Sequence, residues 1–157
     1  MSQNKTLIAY ETKQGASKGA AERIANVLRS KYKIEVDVVD LNKQDVTDLS
    51  KYQNVVAGAG VRGGRIYGKT LEFLKSDLTG KRVAFYVSSS WAGTPGSYKN
   101  AKTKFVDKTL VKYPKVNFVS SGAFGGRIHY FGKTMLDNTD PAKVNRWAEE
   151  LGKKFTE

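Results

Sequence analysis

Three continuous apolar runs constrain this chain most: Leu7-Ile8-Ala9, Val55-Val56-Ala57 and Val83-Ala84-Phe85-Tyr86-Val87. A strand that is apolar at every position must be covered on both faces, whereas a strand with one wet face alternates. Such runs, separated by segments of helical periodicity, call for a parallel sheet between layers of helix. Ile34-Glu35-Val36-Asp37-Val38 alternates, and Val116-Asn117-Phe118-Val119-Ser120 does so in part, which suits edge strands. The pattern predicts strands near Thr6 to Tyr10, Glu35 to Val39, Asn54 to Ala59, Arg82 to Val87 and Lys115 to Ser120. Helices are predicted near Ser17 to Lys31, Tyr67 to Ser76, Gly96 to Val111 and Pro141 to Phe155. Pro141 suits a first helical turn, and Asp140 can cap it. Val144, Trp147, Ala148, Leu151 and Phe155 recur at helical spacing, which makes Trp147 a core residue. With the alternating strands outermost, the simplest right-handed arrangement is a three-layer αβα sandwich whose five-stranded parallel sheet runs 2-1-3-4-5. Its topological switch point falls between the first and third strands, where a ligand is expected.

At 157 residues the chain fits one domain over 1–157, and a hydrophobic content of 39% is enough for a packed core. It has no Cys, which excludes thiol chemistry, cysteine ligation of an iron–sulfur cluster and a disulfide framework. No stretch approaches the roughly 18 apolar residues of a membrane span, and the short run Leu7 to Tyr10 is too brief for a secretory leader. A cytoplasmic location is the expectation. Lys plus Arg number 27 against 15 Asp plus Glu, a net charge of +12. That surplus favours acidic partners such as anionic lipid, nucleic acid or an acidic redox protein, unless it is simply a solvated surface.

The first predicted strand leads through Thr12-Lys13-Gln14-Gly15-Ala16-Ser17 into the first helix. The leading N–H groups of a helix lack intrahelical partners, and the helix dipole makes that end positive, so the junction is suited to an anion. Gly15 allows close backbone approach, while Thr12 and Ser17 add hydroxyl donors. The plainer alternative is an ordinary turn with Ser17 as N-cap. The loop has neither the Walker A spacing nor a Gly-x-Gly-x-x-Gly fingerprint, and it reads as a cradle for one terminal phosphate.

Two further loops converge on the same end of the sheet. Gly58-Ala59-Gly60-Val61-Arg62-Gly63-Gly64-Arg65-Ile66-Tyr67 carries four glycines with arginines interleaved. It is either a floppy surface connection or a backbone able to reorient around a ligand. Ser88-Ser89-Ser90-Trp91-Ala92-Gly93 offers small hydrogen-bonding groups and one flat apolar face at Trp91, which is a stacking platform or a core residue. His129 is the sole histidine; an exposed loop position is the simpler reading, and an acid/base role the sharper one. No His, Cys, Asp and Glu cluster has metal-ligand spacing, and one histidine supports no Ser–His–Asp arrangement. Neither a metal nor a catalytic side chain is assigned.

At this point the chain resembles the flavodoxin-like flavoproteins, along essentially its whole length. The resemblance is carried by Thr12-x-x-Gly15-x-Ser17, by Val61-Arg62-Gly63-Gly64-Arg65, and by Gly122-Ala123-Phe124-Gly125-Gly126-Arg127-Ile128-His129-Tyr130. Flavodoxins usually show Thr-x-Thr-Gly-x-Thr, and Gln14 here removes one hydroxyl. The second and third motifs look closer to the branch that contains menaquinone-dependent protoporphyrinogen oxidase. The resemblance implies one non-covalent FMN, with its phosphate on Thr12, Lys13, Gln14, Gly15, Ala16 and Ser17. Its ring would meet Val61, Arg62, Gly63, Gly64 and Arg65, and Ser88, Ser89, Ser90, Trp91, Ala92 and Gly93, with Trp91 or Tyr67 stacking on it.

The function expected from this resemblance is that of an electron carrier between redox proteins, with acidic ferredoxin-like proteins or reductases as partners. The alternative is an FMN-dependent oxidoreductase of the protoporphyrinogen oxidase type with a quinone acceptor, for which peripheral contact with anionic lipid stays open. A nucleic-acid-binding role lacks a stacking platform and a recognition helix. Flavodoxins are typically acidic and this chain is basic. Arg62, Arg65 and the positive envelope are therefore expected to favour the negatively charged reduced flavin.

Overall fold

The architecture is that of a computed structural model describing residues 4–13, 15–62, 64–130 and 133–157, with the side chains of Arg62 and residues 128–136 outside that description. Strand β1 (Lys5–Glu11) leads to α1 (Ala16–Tyr32), and β2 (Glu35–Asp40) is followed by β3 (Asn54–Arg62). A two-residue β4 (Arg65–Ile66), α2 (Gly68–Phe73) and β5 (Arg82–Ser88) come next. A helical stretch then runs from α3 (Tyr98–Ala101) through a π-helical segment (Lys102–Asp107) into α4 (Lys108–Leu110). Strand β6 (Phe118–Phe124), a hairpin of β7 (Arg127–Tyr130) and β8 (Lys133–Asp137), and α5 (Pro141–Phe155) complete the chain.

The main sheet runs β2-β1-β3-β5-β6, all parallel, with β4 added antiparallel to β3. This is the predicted 2-1-3-4-5 order with a sixth strand. The continuous apolar runs are the three central strands, and the alternating ones are the edges. One face carries Ile8, Tyr10, Val56, Ala84, Tyr86 and Phe124 against α1 and α5. The other carries Leu7, Ala9, Val55, Ala57, Phe85 and Val87 against Phe73, Leu74, Phe105 and Val106. Trp147 is buried as expected, and its Nε1 donates to Ser120 Oγ at 2.9 Å. Asp140 accepts from Lys143 N at the start of α5.

Three predicted segments differ from the structure. The last sheet strand begins at Phe118 and not Lys115, because residues 113–116 close the preceding helix: Val116 N donates to Tyr113 O at 3.1 Å. Gly122 and Ala123 extend that strand, and at Gly122 Phe124 and Trp147 leave no room for a larger residue. A Cβ on Gly122 would lie 2.8 Å from the Phe124 ring and 3.2 Å from Trp147. Second, α2 is shorter than Tyr67 to Ser76; its end unwinds into turns while Leu74 stays buried. Third, the helix expected over Gly96 to Val111 starts at Tyr98 and widens through its π-helical segment, a device common near functional sites.

At the β2 edge, Asp37 Oδ2 accepts from Tyr52 Oη at 2.6 Å and lies 3.3 Å from Lys5 Nζ. The Tyr52 hydroxyl first, then Lys5, holds the Asp37 carboxyl below the usual carboxylate range. A depressed carboxylate stabilises the fold above its unfolded pKa of about 3.9, and that stabilisation disappears as pH falls through the folded value. Asp37 is more than a third exposed, so the contribution is on the order of 1 kcal/mol or less. Asp37→Asn should lower the urea midpoint at pH 7, and the gap from wild type should close below pH 4.

Candidate functional site

The ends of β1, β3 and β5 meet at the switch point: Tyr10 pairs with Gly58, Glu11 with Ala59, and Gly60 with Ser88. The three loops singled out in the sequence therefore lie side by side. In the first, Thr12 Oγ1 accepts from Gly15 N at 2.9 Å, leaving its own proton to donate outward. Thr12 O is held from the β2 side by Asn42 Nδ2 at 2.9 Å.

The N-cap of α1 is Gly15, not Ser17, at φ 90°, a left-handed conformation that glycine adopts without strain. Among the described residues no side chain caps the helix, and its first turn contains no acidic residue. Ser17 is buried inside that turn, and its Oγ has no hydrogen-bond partner among the described residues. Ala16 is buried beside it, Lys13 Nζ stands 5.0 Å from the centre of the Tyr67 ring, and Gln14 is outside the described residues.

The second loop is not a floppy connection. β3 continues to Arg62 and folds back, pairing Val61 with Ile66 and Arg62 with Arg65. Gly64 turns the chain at φ 77°, with Gly63 outside the described residues. Arg65 is exposed, whereas Tyr67 is buried with its ring over Gly60, where a Cβ would lie 2.8 Å from Cε2.

The third loop is a compact turn. Ala92 N and Gly93 N donate to Ser89 O, and Trp91 N donates to Ser89 Oγ. Thr94 Oγ1 donates to Ser90 O. Ser88 is buried, and its Oγ is a second orphaned hydroxyl. Trp91 keeps 50% of its surface open, with the Phe105 ring 5.9 Å away. Of the two candidate stacking residues, Trp91 is the one with an open surface.

The family model for the flavodoxin domain matches residues 7–149 of the sequence. The chain belongs to the flavodoxin domain family. Flavodoxin 2 from Bacillus cereus has the same fold, with a TM-score of 0.69 at 23% identity over 96% of this chain and 99% of that one. A Fusobacterium nucleatum flavodoxin solved with flavin mononucleotide bound also shares it, with a TM-score of 0.57 at 17% identity over 98% of each chain. By sequence the chain is similar to two curated enzymes named protoporphyrinogen IX dehydrogenase [quinone]. The one from Leishmania major is 31% identical over 85 residues, covering 52% of this chain and 37% of that protein. The one from Escherichia coli K12 is 31% identical over 75 residues, covering 48% and 41%. The match thus takes in well under half of either enzyme.

Several residues that shape this end of the flavodoxin domain carry no recognisable sequence motif. Glu11, buried at the end of β1, accepts backbone N–H groups from Lys69 (2.8 Å) and Thr70 (3.3 Å), tying the first loop to α2. A lone carboxylate closing an apolar strand was the available signal. Lys104, carried by the π-helical segment, places Nζ 5.3 Å from the Trp91 ring centre. A Cβ on Gly64 would lie 3.4 Å from that Nζ, so Lys104 bridges the second and third loops. Asn138 Nδ2 donates to Ser90 O at 2.8 Å, and Asn138 Oδ1 accepts from Gly126 N at 3.0 Å, joining the β7–β8 hairpin to the third loop. His129 lies on β7 and not in a loop, with its side chain outside the described set.

Tyr86 supports the first loop from below. Its ring is fully buried, and Oη donates to Ser17 O at 2.8 Å. Burial raises the phenol well above its ordinary pKa, so it stays a neutral donor. The ring lies over Gly58, where a Cβ would come within 2.0 Å of Cζ. Gly58→Ala should therefore displace Tyr86 and cost about 1–3 kcal/mol, as overpacked cores do. The measurements are the thermal midpoint and amide exchange over residues 16–19, both of which should move together.

Proposed function

We propose that this protein binds one FMN at the switch point and carries electrons between redox proteins. The observation that carries the reading is the buried Ser17 Oγ, which among the described residues has no partner, in an α1 first turn with no side-chain cap among them and no acidic residue. A buried hydroxyl without a partner is costly, and a phosphate oxygen would supply one. Thr12 Oγ1, Ser17 Oγ and the leading α1 amides form a donor set that fits a terminal phosphate. Around the ring, Ser88 to Gly93 would contribute hydrogen bonds, Trp91 a stacking face and the Val61–Arg65 hairpin a backbone wall. The bound flavin would supply the redox chemistry, taking up and releasing one or two electrons. The protein's part is to orient it, shield it and set the surrounding field.

Purified protein should be yellow when loaded, and the apoprotein should quench FMN fluorescence with one-to-one stoichiometry. Colourless protein that leaves FMN fluorescence unchanged would remove the reading.

The match to two protoporphyrinogen IX dehydrogenases favours a second reading, oxidation of a porphyrinogen with a quinone acceptor. Among the described residues no helix is long and apolar enough to cross a membrane. A cytoplasmic protein whose basic surface touches acidic partners or anionic lipid fits either role. Turnover of protoporphyrinogen with a menaquinone analogue would select the enzyme; electron delivery to acidic carriers without that turnover selects the carrier.

Arg65 and Lys104 stand at the ring end of the proposed site within an envelope of +12. Positive charge there stabilises the charge gained on reduction. The second one-electron potential should lie above that of acidic flavodoxins and fall in Lys104→Gln. Spectroelectrochemistry reads both values, and a very low second couple contradicts the assignment.

A further inference from the structure

The β7–β8 hairpin brings one more charged group to the first loop. A Cβ on Gly15 would lie only 3.2 Å from Arg127 Nη1, so the guanidinium stands directly against the α1 N-cap. The backbone that carries it is held closely. A Cβ on Gly126 would come within 2.8 Å of Ser90 N, and one on Gly125 within 1.9 Å of Asn138 O, so both contacts require glycine. Asn138 N donates to Gly126 O at 3.1 Å, and Asn138 Oδ1 accepts from Gly126 N. These bonds tie Gly126 to Asn138, whose Nδ2 in turn donates to Ser90 O of the third loop at 2.8 Å.

The guanidinium is oriented as well. Arg127 Nε donates to Asp137 Oδ2 at 2.9 Å, from the paired position on β8. Asp137 is itself fixed by Thr139, whose N and Oγ1 donate to Oδ1. The Thr139 hydroxyl and N–H first, and then Arg127, hold its carboxyl at about 2, so it stays ionised at neutral pH. With Nε donating to Asp137, Nη1 is the guanidinium nitrogen that faces Gly15.

An exposed ion pair of this kind contributes little to stability. What distinguishes it is location: the cation adjoins an uncapped helix N-terminus that contains an unpartnered buried hydroxyl. We propose that Arg127, positioned by Asp137, is the counter-charge for the phosphate group of the bound flavin nucleotide and sets the preference for FMN over riboflavin. This rests on the FMN reading above. A phosphate monoester carries nearly two negative charges at neutral pH, and a planar guanidinium matches its oxygens in pairs. Neutral amides and hydroxyls alone would leave that charge to the helix dipole.

The test compares FMN and riboflavin binding to wild-type apoprotein, Arg127→Gln, Arg127→Lys and Asp137→Asn by fluorescence quenching, with circular dichroism as a check of folding. Arg127→Gln should weaken FMN about ten- to hundred-fold, the scale of a charge-assisted bond, and leave riboflavin within about twofold. Arg127→Lys keeps the charge without the fork and should fall between, as should Asp137→Asn. Raising the salt concentration should narrow the gap between wild type and Arg127→Gln for FMN alone. Equal losses for both flavins, or no loss of FMN affinity in folded Arg127→Gln and Arg127→Lys, would overturn the assignment while leaving FMN binding intact. Failure of the wild type to bind either flavin would instead overturn the FMN reading and this one with it.

Discussion

The hydrogen bond from Tyr86 Oη to Ser17 O holds together the part of the molecule on which the site depends. It runs from a central strand to the first turn of α1, inside the core, where no water competes. Gly58, between Tyr10 and Tyr86 in the strand register, provides the space for the ring. Phe124 and Trp147 pack on the same ring at centroid distances of 5.9 and 5.8 Å. One aromatic cluster thus fixes the helix end, the edge strand β6 and α5 together. The amides at the α1 N-terminus are aimed before any ligand arrives, so little ordering cost remains at binding.

The electrostatics of the site follow from what surrounds those amides. The helix end has no carboxylate in its first turn, and the cations around the site come from separate elements: Lys13 from the first loop, Lys104 from the π-helical segment and Arg127 from the hairpin. Each is held against a ring or a carboxylate and so has a defined place. Buried Glu11 accepts both of its backbone hydrogen bonds from α2. Its carboxylate acts as the cap that the short helix lacks in its own sequence.

Much of the fold was legible because burial on two faces leaves a one-dimensional trace. The apolar runs at residues 7–9, 55–57 and 83–87 are the central strands, the alternating runs are the edges, and Pro141 to Phe155 is a helix with Asp140 at its cap. The legible part of the candidate site was the convergence of three loops, since strand order alone brings them to one end. Where the reading slipped, packing had overridden propensity. Ser121 and Gly122 continue the strand past Ser120 despite a composition suited to a turn, and the π-helical segment shifts the phase of a helix that looked regular.

The sequence by itself determined the layer architecture, the strand order and the loops at the switch point, because apolar periodicity and chain connectivity are properties of neighbouring residues. Only the tertiary structure decided that Ser17 is an orphaned buried hydroxyl and not a cap, and that Arg62 to Arg65 closes a hairpin. It alone brought Arg127 against Gly15, which lies 112 positions earlier in the chain. Contacts of that range depend on which side chains are missing as much as on which are present. Gly58, Gly125 and Gly126 act through the space they leave, and that space exists only once the strands are packed.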